Sequence, residues 1–291
     1  MKKQGFSRRM CLSERKFYVS REENGKTVGD FLRLRGVSRR LISKLKKTDG
    51  GITLCGKNAR TVDTVSYGNC IALKFPPGKP LEANPELLAP TVFEDESVVV
   101  YDKPVNMPVH PSQLHGNDTL GNLFAAQYGE LTFRPITRLD KDTSGLCAVA
   151  KNGLAAAVLS GKIEKSYYAV VCGRLLSDGC INAPIGRCDG SVITREVRAD
   201  GKSAITNYIV LKTGERYTLV KVFPETGRTH QIRVHFAYIG FPLAGDDMYG
   251  GSCRDTVYQA LHCGEMRFTL FGEDINLTSN IREDMEFLVN M

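Results

Sequence analysis

Residues 27–47 carry two short helical patterns, each with one apolar face. Thr27 can cap the first helix, which ends near Gly36, and Ser38 can cap the second. In both segments apolar side chains recur three and four residues apart, so they share one side of a helix. Residues 52–54 predict a strand after a Gly-rich turn, and residues 61–75 predict further strand broken at Gly68. The pattern predicts a small domain of two helices and a sheet.

From residue 91 onwards the pattern becomes rich in strands. Apolar runs with β-branched or aromatic side chains predict strands at residues 98–101, 146–150, 167–172, 204–211 and 217–223. Helical patterns occur at residues 117–128, 152–162 and 228–239. Because helices do not alternate regularly with strands, the pattern disfavours a doubly wound parallel fold. It predicts an α+β domain with a mixed, largely antiparallel sheet and flanking helices.

The segment between the two regions reads PPGKPLEANPELLAP and covers residues 76–90. Each proline biases the preceding residue toward an extended conformation, as is typical of a linker. The length of 291 residues agrees with two domains at about 150 residues each. We expect a basic N-terminal extension at 1–20, a small domain at 21–75, a linker at 76–90 and a larger domain at 91–291.

Charge separates the two regions. Residues 1–75 hold 18 Lys and Arg against 6 Asp and Glu, which gives +12, whereas the rest of the chain holds 21 against 26, which gives −5. A basic module joined to a mildly acidic one is typical of proteins that bind a polyanion. A disordered basic tail would explain residues 1–20 but not the patterned residues 27–75. A solvated helix face is the other explanation for the basic second helix.

Composition argues against several classes of protein. No stretch approaches the ~20 apolar residues of a membrane helix, and no apolar run follows the basic start as in a secretory signal. The nine cysteines are odd in number and include no C-x-x-C, and the five histidines include no H-E-x-x-H. We therefore expect a cytoplasmic protein with no disulfide framework, no metal site and no membrane contact.

Residues 137–145 read TRLDKDTSG and lie directly before a predicted strand. Acids, bases and hydroxyls crowd into this loop, and polar loops on a rigid frame are where catalytic groups tend to lie. The simplest alternative is a turn with local backbone hydrogen bonds. An aspartic protease is set aside because no second Asp-Thr/Ser-Gly occurs. A magnesium-dependent phosphatase stays open, with Asp140 as nucleophile and Asp246 and Asp247 as metal ligands, although a third later acid is missing.

A longer series of motifs resembles the RluA family of RNA pseudouridine synthases. The loop matches the family's signature, and the other matches fall in order around it between residues 91 and 265. They are DKP at 102–104, VHPS at 109–112, KSYYA at 165–169, GK with Ala204 at 201–204, TGRTHQIRVH at 226–235, and GD with YG at 245–250. One position departs from the family, whose members commonly have His where this chain has Thr137.

The small domain resembles a second family, the S4 RNA-binding module. The resemblance lies in Ser38-Arg39, in the turn and strand at 49–54, and in Gly56-Lys57. The usual Arg-Leu-Asp opening of that module is missing, and TVGDFL at 27–32 takes its place. The resemblance implies an N-terminal S4-like α/β domain that binds RNA.

The RluA resemblance implies the pseudouridine synthase fold and a reaction. The N1–C1′ bond of a uridine breaks, the uracil turns, and C5 bonds to C1′. No redox step or external group takes part, so no cofactor is expected. Asp140 would be the nucleophile. Arg233 would be the adjacent cation that favours its ionised form, and Tyr167 would stack on the uracil and could move a proton at C5.

The resemblance also implies how the RNA is held. A base inside an RNA helix must be flipped out, and Arg138, two residues before Asp140, would fill the gap. We expect phosphate contacts from the basic second helix and further contacts at the start of the helix at 228–239. The predicted RNA-binding residues are Arg138, Arg228, Thr229, His230 and Gln231, together with Arg39, Arg40, Lys44, Lys46 and Lys47.

Two other functions stay open at this stage. A phosphatase would need magnesium, and a protein that only binds RNA would not need Asp140. The target is equally open between ribosomal and transfer RNA, because recognition depends on RNA shape. We expect a monomer whose partner is RNA and which has no obligatory protein partner.

Overall fold

The computed structural model describes residues 14–75, 80–129 and 131–291. Most of the predicted extension, residues 1–13, lies outside the described residues, as do residues 76–79 of the predicted linker. Within the described ranges, no helix is long and apolar enough to cross a membrane.

The small domain is a four-stranded antiparallel sheet with two helices. Its elements are β1 (Glu14–Tyr18), α1 (Val28–Leu34), α2 (Arg39–Leu45), β2 (Ile52–Leu54), β3 (Lys57–Asn58) and β4 (Cys70–Lys74), with the strand order β1-β4-β2-β3. Both predicted caps are confirmed. The Thr27 hydroxyl accepts from the Asp30 amide at 3.1 Å, and the Ser38 hydroxyl accepts from the Leu41 amide at 3.2 Å.

Two boundaries differ from the sequence prediction. Residues 14–18 were expected in a basic extension but form β1, because Phe17 is buried against Phe31 with ring centroids 6.4 Å apart. Residues 61–69 were expected as strand but form turns. Their carbonyls are used at the start of α1 instead, where Thr61 and Asp63 accept from the amides of residues 29 and 28.

The larger domain holds the remaining elements. They are β5 (Thr91–Glu94), β6 (Val98–Lys103), α3 (Leu120–Tyr128), β7 (Arg134–Pro135), β8 (Ser144–Ala150), α4 (Gly153–Leu159), β9 (Glu164–Cys172), β10 (Gly179–Asn182), β11 (Ile185–Arg187), β12 (Arg195–Val197), β13 (Ile205–Thr213), β14 (Tyr217–Pro224), α5 (Gln231–Tyr238), β15 (Leu261–Leu270), β16 (Glu273–Thr278) and α6 (Glu283–Asn290). All five strands and all three helices predicted here are present, with shifted ends.

A mixed sheet forms the frame of this domain. Its main path runs β10-β13-β14-β9-β15-β8-β6-β5, with β16 beside β15 and β7 beside β8, and helices flank it. Every pairing is antiparallel except that of β15 with β8. The predicted α+β class with a largely antiparallel sheet is therefore confirmed.

The register around the parallel pair brings distant segments together. Cys263 on β15 lies opposite Gly145 on one side and opposite Tyr167 on the other. The approach at Gly145 is close, because a Cβ there would lie 2.3 Å from the Cys263 carbonyl oxygen, and its φ is +104°. Only glycine tolerates that position without strain. The loop before β8 and the middle of β9 thus meet across one strand.

Helix α4 joins the two domains. Leu154 is buried in the core of the small domain and Val158 packs against that core, whereas Leu159 belongs to the core of the larger domain. Phe75 at the end of the small domain lies against Gly153, where a Cβ would come within 2.5 Å of its ring. The domains therefore share a packed boundary at α4.

The described part of the predicted linker is docked on the larger domain. The Asn122 amide donates to the Glu82 carbonyl at 2.8 Å, and the Asn84 amide nitrogen donates to the Asn117 carbonyl at 2.8 Å. Ala89 is part of the core. The segment is therefore held to the larger domain at these points, although several of its other side chains, such as Leu88, are exposed.

The buried histidines predict how stability responds to acid. Burial lowers the pKa of His235 and of His262 below the usual value of about 6.5. As the pH falls below about 6.5, these histidines bind protons in the unfolded chain before they do so in the folded protein. The folded state therefore loses stability that it has at higher pH. We expect the free energy of unfolding in urea to drop between about pH 7.5 and about pH 5.5, by on the order of 1 kcal/mol.

His235→Gln tests the cause of this acid sensitivity. The His235 ring contacts the Thr206 hydroxyl at 2.8 Å and the Ala183 carbonyl at 2.9 Å, and an uncharged amide would not titrate there. The variant should lose less stability between the two pH values than the wild type, whatever its stability at neutral pH. Equal losses in both proteins would contradict this assignment.

Candidate active site

Two hydroxyl side chains at the C-terminal end of the TRLDKDTSG loop hold that end against the rest of the protein. The Thr143 hydroxyl accepts from the Gln259 amide at 2.5 Å, and the Ser144 hydroxyl lies 2.9 Å from His262 Nδ1. Both side chains are buried, so this half of the loop is structural, but these side-chain contacts are long-range and not the local backbone bonds of a simple turn. Asp140 differs, because 31% of its side chain is exposed and it lines an open cleft.

A buried lysine anchors the loop directly after Asp140. Lys103 Nζ donates to the carbonyls of Pro104 at 2.7 Å, Met107 at 2.8 Å and Lys141 at 3.0 Å. Its side chain is fully buried, and burial lowers the pKa of Lys103 to about 8. The sequence places Lys103 in a motif, but only the structure shows that it orders the Asp140 backbone.

Arg233 lies between two carboxylates. Its Nη1 is 3.2 Å from Asp140 Oδ2, while its Nε and Nη2 each donate to Asp246 at 2.7 Å. Burial opposes the charge of Arg233, but the hydrogen bonds and charges of Asp246 and Asp140 outweigh it and raise the pKa of Arg233. The bidentate pair with Asp246 therefore aims a permanent cation at Asp140.

Asp246 was one of the two metal ligands, with Asp247, in the phosphatase alternative. Its side chain is completely buried and both of its oxygens bind Arg233. It therefore offers no oxygen to a magnesium ion beside Asp140. Across residues 14–75, 80–129 and 131–291, no group of three or more His, Cys, Asp or Glu side chains could hold a metal ion.

His230 flanks Asp140 on a second side. It occupies a left-handed conformation with φ of 57° at the cap of α5, and its Nε2 lies 3.8 Å from Asp140 Oδ2. His230 Nδ1 lies 2.8 Å from the Tyr249 hydroxyl, which accepts from the Arg195 amide at 3.0 Å. A neutral His230 whose Nδ1 accepts from the Tyr249 hydroxyl carries its proton on Nε2, on the side facing Asp140.

Tyr249 contacts both Arg233 and His230, the two side chains that flank Asp140. Its ring lies under the Arg233 guanidinium, 5.0 Å from centroid to carbon, and its hydroxyl holds His230. Burial lowers the pKa of His230, so the imidazole is neutral near pH 7. The carboxylate thus faces one fixed cation and one neutral donor.

Tyr167 forms the wall of the cleft opposite α5. The residue is buried on β9, and burial is the main reason that the pKa of Tyr167 is raised well above its usual value. The charge of Asp140 adds to that shift. The next residue, Tyr168, packs with the apolar cluster against α6, as strand alternation predicts.

The cleft itself is open and has a volume of about 970 Å³. Arg138 is exposed on its rim and makes no hydrogen bond or ion pair with any described residue. Thr229 is exposed on the same rim, and Arg228 Nε donates to the Ser203 carbonyl at 2.9 Å. These side chains are placed to meet a ligand in the cleft.

Gln231 was predicted to contact RNA, but its amide is fully used by the protein. Its oxygen accepts from the Thr226 hydroxyl and the Arg228 amide, and its nitrogen donates to the Ile205 carbonyl and the Thr206 hydroxyl. With all four positions occupied and the side chain buried, Gln231 orders the loop before α5 instead.

Thr137 and the basic residues of the small domain are the remaining predicted features. Thr137, which replaces the family's usual His, is buried and its hydroxyl accepts from the Ala148 amide at 2.9 Å. The basic residues of the small domain are exposed on and directly after α2, at Arg39, Arg40, Lys44, Lys46 and Lys47. The first three of these face a groove beside α4 rather than the Asp140 cleft.

Comparisons with known proteins show one consistent family likeness. A family model for RNA pseudouridylate synthase matches residues 97–238. The uncharacterized RNA pseudouridine synthase YjbO of Bacillus subtilis is 35% identical over 280 residues, which cover 90% of this chain and 98% of that protein. The ribosomal large subunit pseudouridine synthase D of Xanthomonas campestris is 33% identical over 279 residues, covering 87% of this chain and 84% of that protein.

The same likeness extends to a solved structure. The protein called human RNA pseudouridylate synthase domain containing 1 superposes with a TM-score of 0.58 at 26% identity, covering 66% of this chain and 83% of that chain. The likeness therefore covers nearly the whole length in sequence and about two thirds of the chain in the solved structure.

Proposed function

The chain belongs to the RluA family of RNA pseudouridine synthases, which isomerise uridine in RNA, and we propose that Asp140 is its nucleophile. The observation that carries this proposal is the position of the Asp140 carboxylate. It lies in the open cleft, 3.2 Å from a guanidinium that Asp246 holds in place. A carboxylate with one fixed cationic partner and a free side toward the cleft is suited to attack a bound nucleotide.

The reaction conserves all atoms of the nucleotide. The N1–C1′ bond breaks, the uracil turns, a C5–C1′ bond forms, the C5 proton leaves and N1 takes up a proton. Arg233 and the Nε2 proton of His230 would hold the Asp140 carboxylate during these steps, since both face its Oδ2. No other acidic side chain lines the cleft within the loop at 136–143.

We assign the proton transfer at C5 to Tyr167. Its hydroxyl is protonated in the free enzyme because burial raises the pKa of Tyr167, and the Asp140 charge contributes to that shift. When Asp140 forms a bond to the nucleotide, its negative charge is lost. The contribution of Asp140 to the shift then disappears, and the phenol becomes easier to ionise at the stage when C5 must lose its proton.

Tyr167→Phe should therefore slow turnover by about 10²–10⁴-fold while RNA affinity stays close to that of the wild type. The variant keeps the ring that would stack on uracil and loses only the hydroxyl. Because C5 proton transfer would become the slow step, the kinetic isotope effect with C5-deuterated uridine should increase. A variant with wild-type turnover would show that the hydroxyl takes no part.

For the substrate, we propose ribosomal RNA of the large subunit. Relatives in Xanthomonas campestris, Pseudomonas aeruginosa and Vibrio cholerae bear the name ribosomal large subunit pseudouridine synthase D, at 33%, 39% and 34% identity. The open cleft with the exposed Arg138 at its rim agrees with a flipped nucleotide in a folded RNA. We propose that the enzyme acts as a monomer in the cytoplasm, with the small domain as a second, S4-like RNA contact.

Tritium release tests the reaction and the substrate together. RNA labelled at C5 of uridine is prepared from a strain that lacks the protein, and large ribosomal RNA is separated from transfer RNA. We expect the protein to release tritium from the ribosomal fraction, with EDTA present. Release only from transfer RNA would overturn the proposed substrate and leave the reaction intact. Release from neither fraction would contradict the proposed function.

A further inference from the structure

We propose that a groove between the small domain and α4 binds the phosphate backbone of the RNA strand that leaves the cleft. This inference rests on the proposed function, because it extends the site of an RNA substrate. The groove, hereafter the domain groove, has six cationic residues in its lining, which are Arg33, Arg39, Arg40, Lys44, Arg134 and Lys162.

The charge of the domain groove has one sign. Six of its lining residues are cations, and its described lining includes no Asp or Glu. Four of the cations come from the small domain and two, Arg134 and Lys162, come from the larger domain. A solvated basic face on α2 would not explain why the facing wall is basic as well. Cations on both walls are the arrangement that a polyanion strand requires.

Arg134 is the strongest single indication that the domain groove binds an anion. It is half-buried at the start of β7, and its guanidinium makes one hydrogen bond, from Nη1 to the Thr132 carbonyl at 3.1 Å. It forms no ion pair with a carboxylate of the described residues, and burial lowers the pKa of Arg134. A half-buried guanidinium with no carboxylate partner among the described residues has donors left for a bidentate contact with phosphate.

The domain groove and the cleft meet at one residue. Lys162 lines both of them, while Gly161 lines only the cleft and Ser160 only the groove. The turn after α4 is thus the border between the site of Asp140 and the basic channel. An RNA strand whose uridine lies in the cleft would pass this turn and then meet the cations of the domain groove.

The two walls of the domain groove are held at a fixed spacing. Leu154 of α4 is buried in the small domain's core, Val158 packs against it, and Gly36 lies in contact distance of Val158. Charges placed on such a rigid frame lose little conformational freedom when they bind. The small domain therefore serves as half of a composite site rather than as a separate anchor.

Removal of the two cations of the larger domain tests the proposal. The groove variant carries Arg134→Gln and Lys162→Gln together in the full chain. The control variant carries Arg174→Gln and Arg254→Gln. The control removes two exposed charges from the same domain that line neither cavity. The probe is a fluorescent RNA hairpin with single-stranded flanks, titrated at several salt concentrations.

The groove variant should bind the hairpin roughly tenfold more weakly at low salt, with a log–log salt slope smaller by about 1.4, or about 0.7 for each lost phosphate contact. The control should lose much less. Arg134→Lys with Lys162→Arg keeps both charges and should retain most of the slope, which separates a loss of charge from a loss of folding. Equal losses in the groove variant and the control would overturn the proposal.

Photo-cross-linking locates the strand independently of charge. A cross-linking amino acid at Ser160 should capture the hairpin, as should one at Thr229 on the rim of the cleft, which serves as the positive control. Capture of the hairpin at Thr229 with none at Ser160 would also overturn the proposal that the domain groove binds the RNA. Tritium release by the wild-type protein is measured in parallel, so that failure of the proposed reaction is recognised separately.

Discussion

Asp140→Asn should abolish tritium release, with a rate at least about 10⁴-fold below that of the wild type. The amide has nearly the shape of the carboxylate but cannot act as the charged nucleophile. We expect the fold to be kept. Asp140 is partly exposed and Arg233 retains its bidentate partner Asp246, so the free energy of unfolding should change by no more than about 1 kcal/mol. Affinity for RNA should also survive.

The matched control is Asp142→Asn, which makes the same chemical change two residues further along the loop. Asp142 does not line the cleft, and its Oδ1 is buried without a hydrogen-bond partner. This variant should keep activity within about tenfold of the wild type. If Asp140→Asn retained more than about a tenth of the wild-type rate, Asp140 would not be the nucleophile. A folded, inactive Asp140→Asn that still binds RNA would separate catalysis from binding.

Local features of the fold were predictable because they depend on neighbours in the chain. Thr27 and Ser38 cap their helices through amides three residues away, and a sequence displays that spacing directly. Strand β15, at residues 261–270, was not predicted. Its sequence, LHCGEMRFTL, does not alternate cleanly, and its place beside β8 and β9 depends on partners about a hundred residues away.

The candidate site was predictable only in part for the same reason. The motifs single out Asp140, Tyr167 and Arg233, and the structure brings all three to one cleft. The residues that hold them were not predicted in that role. Lys103 binds the Lys141 carbonyl across 38 positions, and the Gln231 amide is used in hydrogen bonds within the protein. Hydrogen bonds between distant segments leave no periodic signal in a sequence.

Asp246→Ala should have the largest effect on stability among the changes considered. The variant leaves the buried Arg233 with Asp140 as its remaining carboxylate, and breaking a buried pair typically costs about 3–5 kcal/mol. Activity should fall as well, because Arg233 would no longer be aimed at Asp140. Urea unfolding measures the first effect, and tritium release measures the second at a temperature where the variant is folded.

A second substitution distinguishes the loss of a partner from general damage. Asp246→Ala combined with Arg233→Met removes the stranded charge, and replacing a buried ion pair by apolar side chains is often neutral or stabilising. The double variant should therefore recover much of the lost stability and remain inactive, since the cation beside Asp140 would be gone. If the double variant were no more stable than Asp246→Ala alone, the cost would not arise from an unpaired guanidinium. If it regained activity, Arg233 would not be required beside Asp140.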